Sequence, residues 1–412
     1  MCTWTLSTVV EHFNNRGRDI FGAACDISKA FDVCSWIFLF KDLLERGVST
    51  IFLRLLLFIY KEQRCDVRWN GKFSARFPVT NGCRQGSVVS PIFFSVYIDK
   101  LIKKLRKLSI GCSIAGVYLG IIVYADDIFL LCPSRQGLQT MVDTCQKFAA
   151  ERNLKFSTNV DIKKSKTKCI IFSKRRINTN NVVPIYLDNV PLPYVDKLNH
   201  LGNTVQCDNS MKDDVCIKRA RFIGKVNSLN QEFYFSSPEV RSKLYNVYCC
   251  SYYGSNLWNL YNRPCDKLYK SFNVSIRICF NIPRNSHRFM IEPLIDYPHP
   301  KIMLCSRFVK FHQTITKCNK NSIRTLAKLT LLDDKTVYKQ NLTKIARDCD
   351  TVIDKLSPSV VKSNMEYFPL PEAESWRVPF LQNLLAVRSN ELHLDNFENQ
   401  ELAELINYVC TT

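Results

Sequence analysis

The sequence lacks the features of a small zinc-binding protein and of a membrane protein. No two of its 19 cysteines form a CxxC pair and its six histidines are dispersed, which excludes zinc fingers and zinc knuckles. Its most apolar stretch, Ile51–Tyr60, contains Arg54 and is about half of the ~20 residues that a spanning helix needs. No basic start or apolar signal core opens the chain. We therefore expect an intracellular protein of the nucleus or cytoplasm, neither secreted nor membrane-spanning, with mostly buried, reduced cysteines.

Positive charge is what the sequence has in excess. Lys and Arg number 57 against 37 Asp and Glu, a formal net charge of +20. With 46% hydrophobic and 12% aromatic residues, the composition predicts a folded core rather than a disordered basic chain. Residues 364–412 reverse the balance and are acidic. A folded basic body favours a polyanionic partner, and nucleic acid is the usual one.

The apolar pattern changes along the chain. The first half alternates strand and helix patterns, as in α/β or α+β proteins, whereas helical patterns prevail after about residue 205. The predicted strands are Phe21–Ile27, Gly116–Tyr124, Ile128–Leu131, Lys168–Phe172, Ile185–Leu187 and Val195–Gly202, with a hairpin turn at Asn70-Gly71. The predicted helices are Trp36–Arg46, Thr50–Lys61, Pro91–Leu105, Arg135–Arg152, Ser210–Phe233, Pro238–Leu257, Lys301–Cys318 and Thr336–Leu356.

Two adjacent carboxylates, Asp126 and Asp127, lie between two apolar runs. This pattern predicts a hairpin turn at the end of a buried sheet, where the two charges repel each other unless a cation joins them. An ordinary Asp-Asp turn is the alternative. It is disfavoured because the turn contains neither Gly nor Asn and its flanks are apolar enough for central strands.

A third carboxylate, Asp26, ends another apolar strand. If that strand lies beside the Asp126 hairpin, three carboxylates converge, which suits two Mg²⁺ ions about 3.5–4 Å apart for an in-line phosphoryl transfer. Asp32, a little further along, is predicted instead to cap the following helix. Between the acidic sites, the loop Gly82–Pro91 opens a helix and suits an anionic ligand, although a plain capped helix start is the alternative.

Three segments in this order, DISKAFD, GCRQGSVVSPIFFSVYIDKL and YADD, resemble the central palm motifs of reverse transcriptases, in the variant of non-LTR (LINE-type) retrotransposons. The resemblance implies an α+β fold: a right-hand polymerase palm with a ferredoxin-like antiparallel sheet and helices, then an α-helical thumb and a helical C-terminal region. It implies a palm with a partial fingers remnant at 1–205, a thumb-like region at 206–290 and a C-terminal region with an acidic tail at 291–412.

The resemblance also implies roles for single residues. Asp26, Asp126 and Asp127 would be catalytic and would hold two Mg²⁺ ions, or Mn²⁺ in their place. Lys166 would protonate the leaving pyrophosphate or neutralise its charge, and Phe31 would screen the sugar 2′ carbon; a solvated lysine and a core ring are the respective alternatives. The remaining implied positions are the nucleotide- and template-binding Arg84, Gln85, Gly86 and Tyr124, and the primer-grip Leu201 and Gly202.

The activity that the resemblance implies is RNA-directed DNA polymerisation. A primer 3′-hydroxyl would attack the α-phosphate of a dNTP, so the implied partners are an RNA template, a DNA primer and a dNTP. Only 25 residues precede Asp26, fewer than in the family, so the resemblance implies an N-terminally truncated protein that lacks the fingers motifs. The alternative is a catalytically inactive relic that only binds nucleic acid.

Overall fold

The computed structural model describes residues 1–84, 86–159, 165–280, 282–283 and 298–365. It combines helices with antiparallel strands and divides the chain into two compact units. The first unit comprises residues 1–199 and 205–209, and the second comprises 200–204 and the described residues from 210 onward. Within the described ranges, no helix has the length and apolar character that crossing a bilayer requires. The cysteines there are free thiols and most of them are buried.

Five helices belong to the first unit: α1 (Cys2–Asn14), α2 (Trp36–Glu45), α3 (Thr50–Lys61), α4 (Ser90–Lys107) and α5 (Arg135–Glu151). The strands that begin in this unit are β1 (Ile20–Asp26), β2 (Arg64–Cys65), β3 (Arg68–Trp69), β4 (Lys72–Phe73), β5 (Phe77–Pro78), β6 (Ser113–Ile114), β7 (Val117–Tyr118), β8 (Ile121–Tyr124), β9 (Asp127–Cys132), β10 (Lys168–Phe172), β11 (Ile185–Leu187), β12 (Val190–Leu192) and β13 (Lys197–His200). The last strand, β14 (Asn203–Gln206), follows directly, and a short 3₁₀ turn spans Thr179–Asn181.

The described part of the second unit is helical. Its helices are α6 (Lys212–Glu232), α7 (Pro238–Leu244), α8 (Arg263–Cys279), α9 (Pro300–Thr316), α10 (Asn321–Leu332), α11 (Val337–Asp348) and α12 (Pro358–Asn364). A π-helical turn, Tyr245–Cys249, follows α7, and 3₁₀ turns span Ser255–Leu257 and Ile353–Lys355.

A four-stranded antiparallel sheet in the order β10-β1-β9-β8 organises the first unit. Because successive side chains of a strand point to opposite faces, Ala23 and Cys25 share one face and Gly22 and Asp26 share the other. Ala23 and Cys25 belong to one buried core with Leu130 and the apolar sides of α2, α4 and α5. These three helices therefore cover the face opposite to Asp26, while Phe129 and Leu131 on the Asp26 face are buried as well.

The observed elements follow the predicted pattern closely where the pattern is strongly periodic. The Asn70-Gly71 hairpin forms as predicted, with both residues at positive φ, 46° and 79°, as a type I′ turn requires. The predicted strand Gly116–Tyr124 is wrong as one element, because the chain leaves the strand path at Gly120. A Cβ at Gly120 would lie 3.0 Å from the Gly111 Cα, so the two backbones approach closely there.

Two predicted helices end earlier than expected. The helix Pro238–Leu257 stops at Cys249, because side chains bind the carbonyls that would continue it: Lys225 Nζ donates to the Tyr248 oxygen at 2.8 Å and Arg307 to the Ser251 oxygen at 2.7 Å. The helix Thr336–Leu356 stops at Asp348, and Asp350 is left-handed with φ 48°.

A buried ion pair joins three helices of the first unit. The Arg152 guanidinium, just past α5, donates to both Asp42 oxygens on α2, at 2.7 and 3.1 Å. Its carbon lies 4.6 Å from the centroid of the Tyr97 ring on α4. Asp42 also accepts from Lys100 at 2.6 Å, and both members of the central pair are about 95% or more buried. A bidentate guanidinium stacked on aromatic rings fixes the mutual position of these helices.

Replacement of Arg152 by methionine is expected to lower the free energy of unfolding by about 3 kcal/mol, because Asp42 stays buried with only Lys100 as a counter-charge. Denaturant titration followed by circular dichroism measures the change. The control is Arg46→Met, which removes the exposed Arg46–Asp99 pair and should cost less than about 1 kcal/mol. Equal losses in the two variants would show that burial of the pair is immaterial.

Candidate active site

The structure brings the acidic residues to one end of the central sheet. Asp26, the last residue of β1, is the direct cross-strand partner of Asp127, the first residue of β9. Asp127 also pairs with Tyr124 at the end of β8, so Ala125 and Asp126 form the two-residue turn between these strands. Paired residues point to the same face of a sheet, so Asp26 and Asp127 lie together at the end of the face opposite to the one that packs on α2, α4 and α5.

Backbone strain is concentrated in that turn. Ala125 has φ 52°, in the left-handed region. This conformation costs an alanine about 1 kcal/mol because its Cβ crowds the following carbonyl. A strained two-residue turn with no glycine holds Asp126 at the tip of the hairpin, next to the two paired carboxylates. Strain of this kind is commonly found at functional sites.

The surroundings of Asp26 and Asp127 disfavour the ionised forms of their carboxyl groups. Burial raises the pKa of the Asp26 carboxyl; Lys166 partly offsets this shift and Asp126 adds to it. The pKa of Asp127 is raised by burial and by the negative charges of Asp126 and Asp26. Both raised pKa values mean that the positive charge near these carboxylates does not offset the cost of burial and the repulsion by neighbouring carboxylates.

Lys166 lies next to this cluster. Its Nζ is 3.9 Å from the Asp26 Oδ2, and 72% of its side chain is exposed. The neighbouring residues hold this segment against β1, since the Asp26 amide donates to the Thr167 hydroxyl at 3.3 Å and the Thr167 amide donates to the Ser157 carbonyl at 3.1 Å. The lysine is therefore anchored at its backbone and free to move at its tip.

Phe31 sits between the acidic strand and the loop that opens α4. Its half-buried ring lies 4.9 Å from the Phe94 ring, centroid to centroid. Its carbonyl accepts from the Cys83 amide at 2.6 Å, and the neighbouring Gly82 amide donates to Cys34 at 2.9 Å. A Cβ on Gly82, whose φ is 90°, would lie 2.7 Å from the Asp32 carbonyl oxygen, so only glycine permits this approach.

The rest of the loop is exposed. Arg84 and Gly86 are both at the surface, and Gly86 has φ 81° with open space where a Cβ would be. The Ser90 hydroxyl at the start of α4 donates to the Arg84 carbonyl and closes the loop. Gln85 lies outside the described residues. Tyr124 is 61% exposed beside the Asp126 turn.

The prediction that Asp32 caps the following helix is wrong. Ser35 is the N-cap of α2, and Asp32 lies three residues before it. The Asp32 amide donates to the Lys29 carbonyl at 2.9 Å, which makes residues 29–32 a separate turn between β1 and the helix. The left-handed Lys29, with φ 49°, turns the chain there and delays the start of the helix.

The donor chemistry of the site fits a divalent cation. Within the described residues, no group of three or more His, Cys, Asp or Glu side chains is already arranged as a closed metal site. Asp26 and Asp127 are nevertheless adjacent carboxylates with raised pKa values, and a hard cation bound by their oxygens would supply the missing positive charge.

The two predicted primer-grip residues belong to the second unit. Leu201 and Gly202 both have positive φ, 49° and 74°, and form the turn between β13 and β14. Gly202 lies against Tyr253, because a Cβ at position 202 would be 3.3 Å from that ring. The absence of a side chain at Gly202 is thus what lets the two segments meet.

A buried polar network near this turn was not found from the sequence. Asp214 accepts from the Lys218 ammonium at 2.8 Å, the Trp258 indole at 2.7 Å and the Thr204 amide at 2.8 Å. The one available signal was the segment YGSNLW, whose Trp258 is fully buried and needs an acceptor for its indole N–H.

Comparison with known proteins assigns the first half of the chain. Residues 2–204 match the family model described as reverse transcriptase (RNA-dependent DNA polymerase). The Pol polyprotein of the type-2 retrotransposable element R2DM of Drosophila melanogaster is 29% identical over 171 residues, which are 40% of this chain and 16% of the relative. The putative 115 kDa protein of the type-1 element R1DM from the same species is 25% identical over 251 residues, 58% of this chain and 22% of the relative.

Solved structures give a weaker similarity. Apo telomerase from Candida tropicalis aligns with a TM-score of 0.37 and 13% identity, over 83% of this chain and 54% of the telomerase. That score is too low to assign an architecture.

The chain spans about a fifth of the length of the retrotransposon proteins that it matches. The family match, the retrotransposon relatives and the motifs agree, so the chain belongs to the reverse transcriptases of non-LTR retrotransposons, with its reverse transcriptase domain at residues 2–204.

Proposed function

We propose that the chain catalyses RNA-templated DNA synthesis. The observation that carries the proposal is the direct pairing of Asp26 with Asp127 beside the strained Asp126 turn. Two paired carboxylates with a third at the adjoining tip form an acidic site at the end of a sheet, and the family match supplies the reaction class. Phosphoryl transfer depends chiefly on positioning and on charge stabilisation, which such a site provides.

The architecture of the first unit supports a polymerase palm. Its antiparallel sheet packs on α2, α4 and α5 with one face, and the paired carboxylates lie at the end of the other, where they would meet a substrate. We assign palm and a partial fingers remnant to residues 1–205, a thumb-like region to 206–290 and a C-terminal helical region to 291–412. The helical character of the described second unit is consistent with the thumb assignment.

Asp26, Asp126 and Asp127 would hold two Mg²⁺ ions, or Mn²⁺. Such ions supply a lowered pKa for the primer 3′-hydroxyl and charge stabilisation for the leaving pyrophosphate. The protein contributes a rigid frame, because the register of β1 and β9 fixes the distance between the two paired aspartates. Lys166, anchored through Thr167 and mobile at its ammonium, would donate a proton to the pyrophosphate oxygen or neutralise its charge.

The nucleotide would lie against the Phe31 ring. The hydrogen bonds from Cys83 and Gly82 hold this segment to the Gly82 loop, so the ring cannot retreat from a bulkier sugar. Arg84 would meet the triphosphate or the template, and Gly86 and Tyr124 would contact the nucleotide or the template; all three residues are exposed. A sugar with a 2′-hydroxyl would collide with the ring, which would favour dNTP over rNTP.

The RNA template and DNA primer follow from the charge of the chain and from its family. A net charge of +20 attracts phosphates through release of their counterions. Leu201 and Gly202 would contact the end of the primer, since their turn presents backbone rather than side chain at Gly202.

Primer extension on poly(rA)/oligo(dT) with Mg²⁺ tests the catalytic proposal. Asp126→Ala is expected to lower incorporation about 100-fold or more, since charge stabilisation by a bound metal contributes several kcal/mol. Excess EDTA should abolish it in the wild type. The matched control is Asp143→Ala on α5, which covers the opposite face of the sheet and should leave the rate unchanged.

Equal incorporation by wild type and Asp126→Ala would overturn the proposal. If neither protein extends the primer yet the wild type binds the RNA–DNA duplex with steep salt dependence, the chain is a nucleic-acid-binding protein without turnover. Both outcomes are read from the same preparation.

Replacement of Phe31 by alanine is expected to lower the dNTP-to-rNTP ratio of kcat/KM by about 10- to 100-fold, the range that a steric wall can impose on one hydroxyl. Phe31→Tyr retains the ring and should retain the discrimination. An unchanged ratio in the alanine variant, with a thermal unfolding midpoint near that of the wild type, would restrict Phe31 to packing against Phe94.

Replacement of Lys166 by glutamine should lower kcat about 100-fold while the Kd for primer–template stays within twofold or so, because a positioned acid acts on the chemical step. Single-turnover kinetics separate the two quantities. Lys174→Gln, which removes another exposed lysine of the same unit, is the control. A change confined to Kd would assign Lys166 to backbone binding instead.

A further inference from the structure

The second unit contains a cavity of about 260 Å³ whose lining is both basic and aromatic. Arg221, Lys225 and Lys218 supply its charge, and Phe222, Tyr252 and Tyr253 supply its rings. Its volume is near the lower end of the ~300–1,000 Å³ range of small-molecule sites, so it suits a group of the size of one nucleotide rather than a stretch of duplex.

One wall of the cavity is held by the buried network around Asp214. Lys218, 9% exposed, donates to Asp214 at 2.8 Å and to Asn203 at 2.7 Å, and its ammonium lies 5.5 Å from the centroid of the Tyr253 ring. The charge of Lys218 is therefore balanced by Asp214. Its role is to hold Tyr253 in place, and the positive potential of the cavity comes from the other two cations.

The turn that carries the tyrosines is strained. Tyr252 has φ 38°, a left-handed conformation that a bulky aromatic residue rarely adopts. Gly254 follows at φ 78°, and a Cβ there would lie 1.8 Å from the Asn203 Oδ1. A π-helical turn, Tyr245–Cys249, precedes this segment. Such strained geometry persists only where surrounding contacts impose it, and π turns are frequent at functional sites.

Two cations of the cavity are available to an anionic ligand. Arg221 is exposed on α6, and the described structure gives it no ion-pair partner. Lys225, one turn further along the same helix, is 4.9 Å from the centroid of the Tyr248 ring and bonds only a neutral carbonyl, that of Tyr248. An arginine and a lysine at i and i+4 lie on the same helix face, where they can grip one phosphate together.

Two tyrosine rings at this site are exposed to solvent. Tyr253 is 62% exposed and Tyr248 is 51% exposed. A base-paired nucleotide has its faces covered by its neighbours, whereas an unpaired base can stack on an exposed ring. Exposed rings beside cations that have no acidic partner in the described structure are thus a combination that suits single strands.

We propose that this cavity binds one nucleotide of a single-stranded segment of nucleic acid, with its phosphate on Arg221 and Lys225 and its base stacked on Tyr253. The proposal rests on the proposed function in that the ligand is nucleic acid and in that Gly202, proposed to contact the primer, also lines the cavity. It concerns binding and needs neither metal nor dNTP, so it can fail while polymerisation succeeds, and the reverse.

Fluorescence anisotropy of labelled oligo(U) with the full chain in EDTA tests the site. Tyr253→Ala is expected to raise the Kd at least about fivefold, the low end of the contribution of one stacked base. Arg221→Gln should also weaken binding and should lower the slope of log K against log salt by ~0.7, the value for one phosphate of a single strand. Repetition with oligo(dT) identifies whether the strand is RNA, DNA or either.

An abasic oligonucleotide of the same length separates stacking from charge. The wild type should bind it more weakly than the base-bearing strand, and Tyr253→Ala should remove this difference. The matched controls are Tyr234→Ala and Arg324→Gln, exposed residues of the same unit that do not line the cavity. Both should bind as the wild type does.

Three results would overturn the proposal. The first is an unchanged Kd for Tyr253→Ala on both strands. The second is an equal loss with the control variants, which would reduce the effect to general charge or aromatic content. The third is displacement of oligo(U) by poly(Glu) as effectively as by unlabelled oligo(U), which would show a site for acidic chains without base recognition. Thermal unfolding of each variant confirms that it is folded, and the exposure of Tyr253 and Arg221 makes loss of the fold unexpected.

Discussion

The first unit holds two like charges, the carboxylates of Asp26 and Asp127, side by side at the end of its sheet. Asp26 and Asp127 are cross-strand partners, and like charges in that position destabilise a sheet. Burial adds to the cost, as the raised pKa values of both carboxyls show. The rest of the unit offsets it: the register of β1 and β9 is fixed by an apolar core on the opposite face, which joins the sheet to three helices. A site that is unfavourable by itself is thereby held ready for a cation.

Each unit uses one buried ionic network as its internal brace. In the first, Arg152 joins Asp42 and the aromatic rings of α4 and α5. In the second, Asp214 accepts hydrogen bonds from Lys218, Trp258 and the Thr204 amide. Buried charges of this kind favour one arrangement of the surrounding helices because every alternative leaves a charge unpaired. The second network also explains the sequence YGSNLW, in which Gly254 permits close approach to Asn203 and Trp258 supplies a donor to Asp214.

Much of the site could be predicted from local sequence. The apolar runs around Asp126-Asp127 and before Asp26 predicted their strands, whereas the pairing of those strands, on which the convergence of the carboxylates depended, came from the structure. The Asn70-Gly71 turn and most helix bounds could likewise be predicted from local sequence.

The exceptions depend on residues that are distant in the sequence. The helix after Pro238 ends where Lys225 and Arg307 bind carbonyls, and the distant donor that buries Asp214 in a network is Trp258. Such partners lie far away in sequence, and no local pattern reports them. The assignments of metal, primer and nucleotide contacts stay predictions.

The central claim is that the paired carboxylates bind divalent ions. Its most direct measurement is titration of the full chain with Mn²⁺, followed by electron paramagnetic resonance, in the presence of an RNA–DNA primer–template and a dNTP. The wild type is expected to bind two ions at the protein, and Asp26→Asn is expected to lose at least one of them while Asp143→Asn loses none. The same stoichiometry and affinity in wild type and Asp26→Asn would contradict the account.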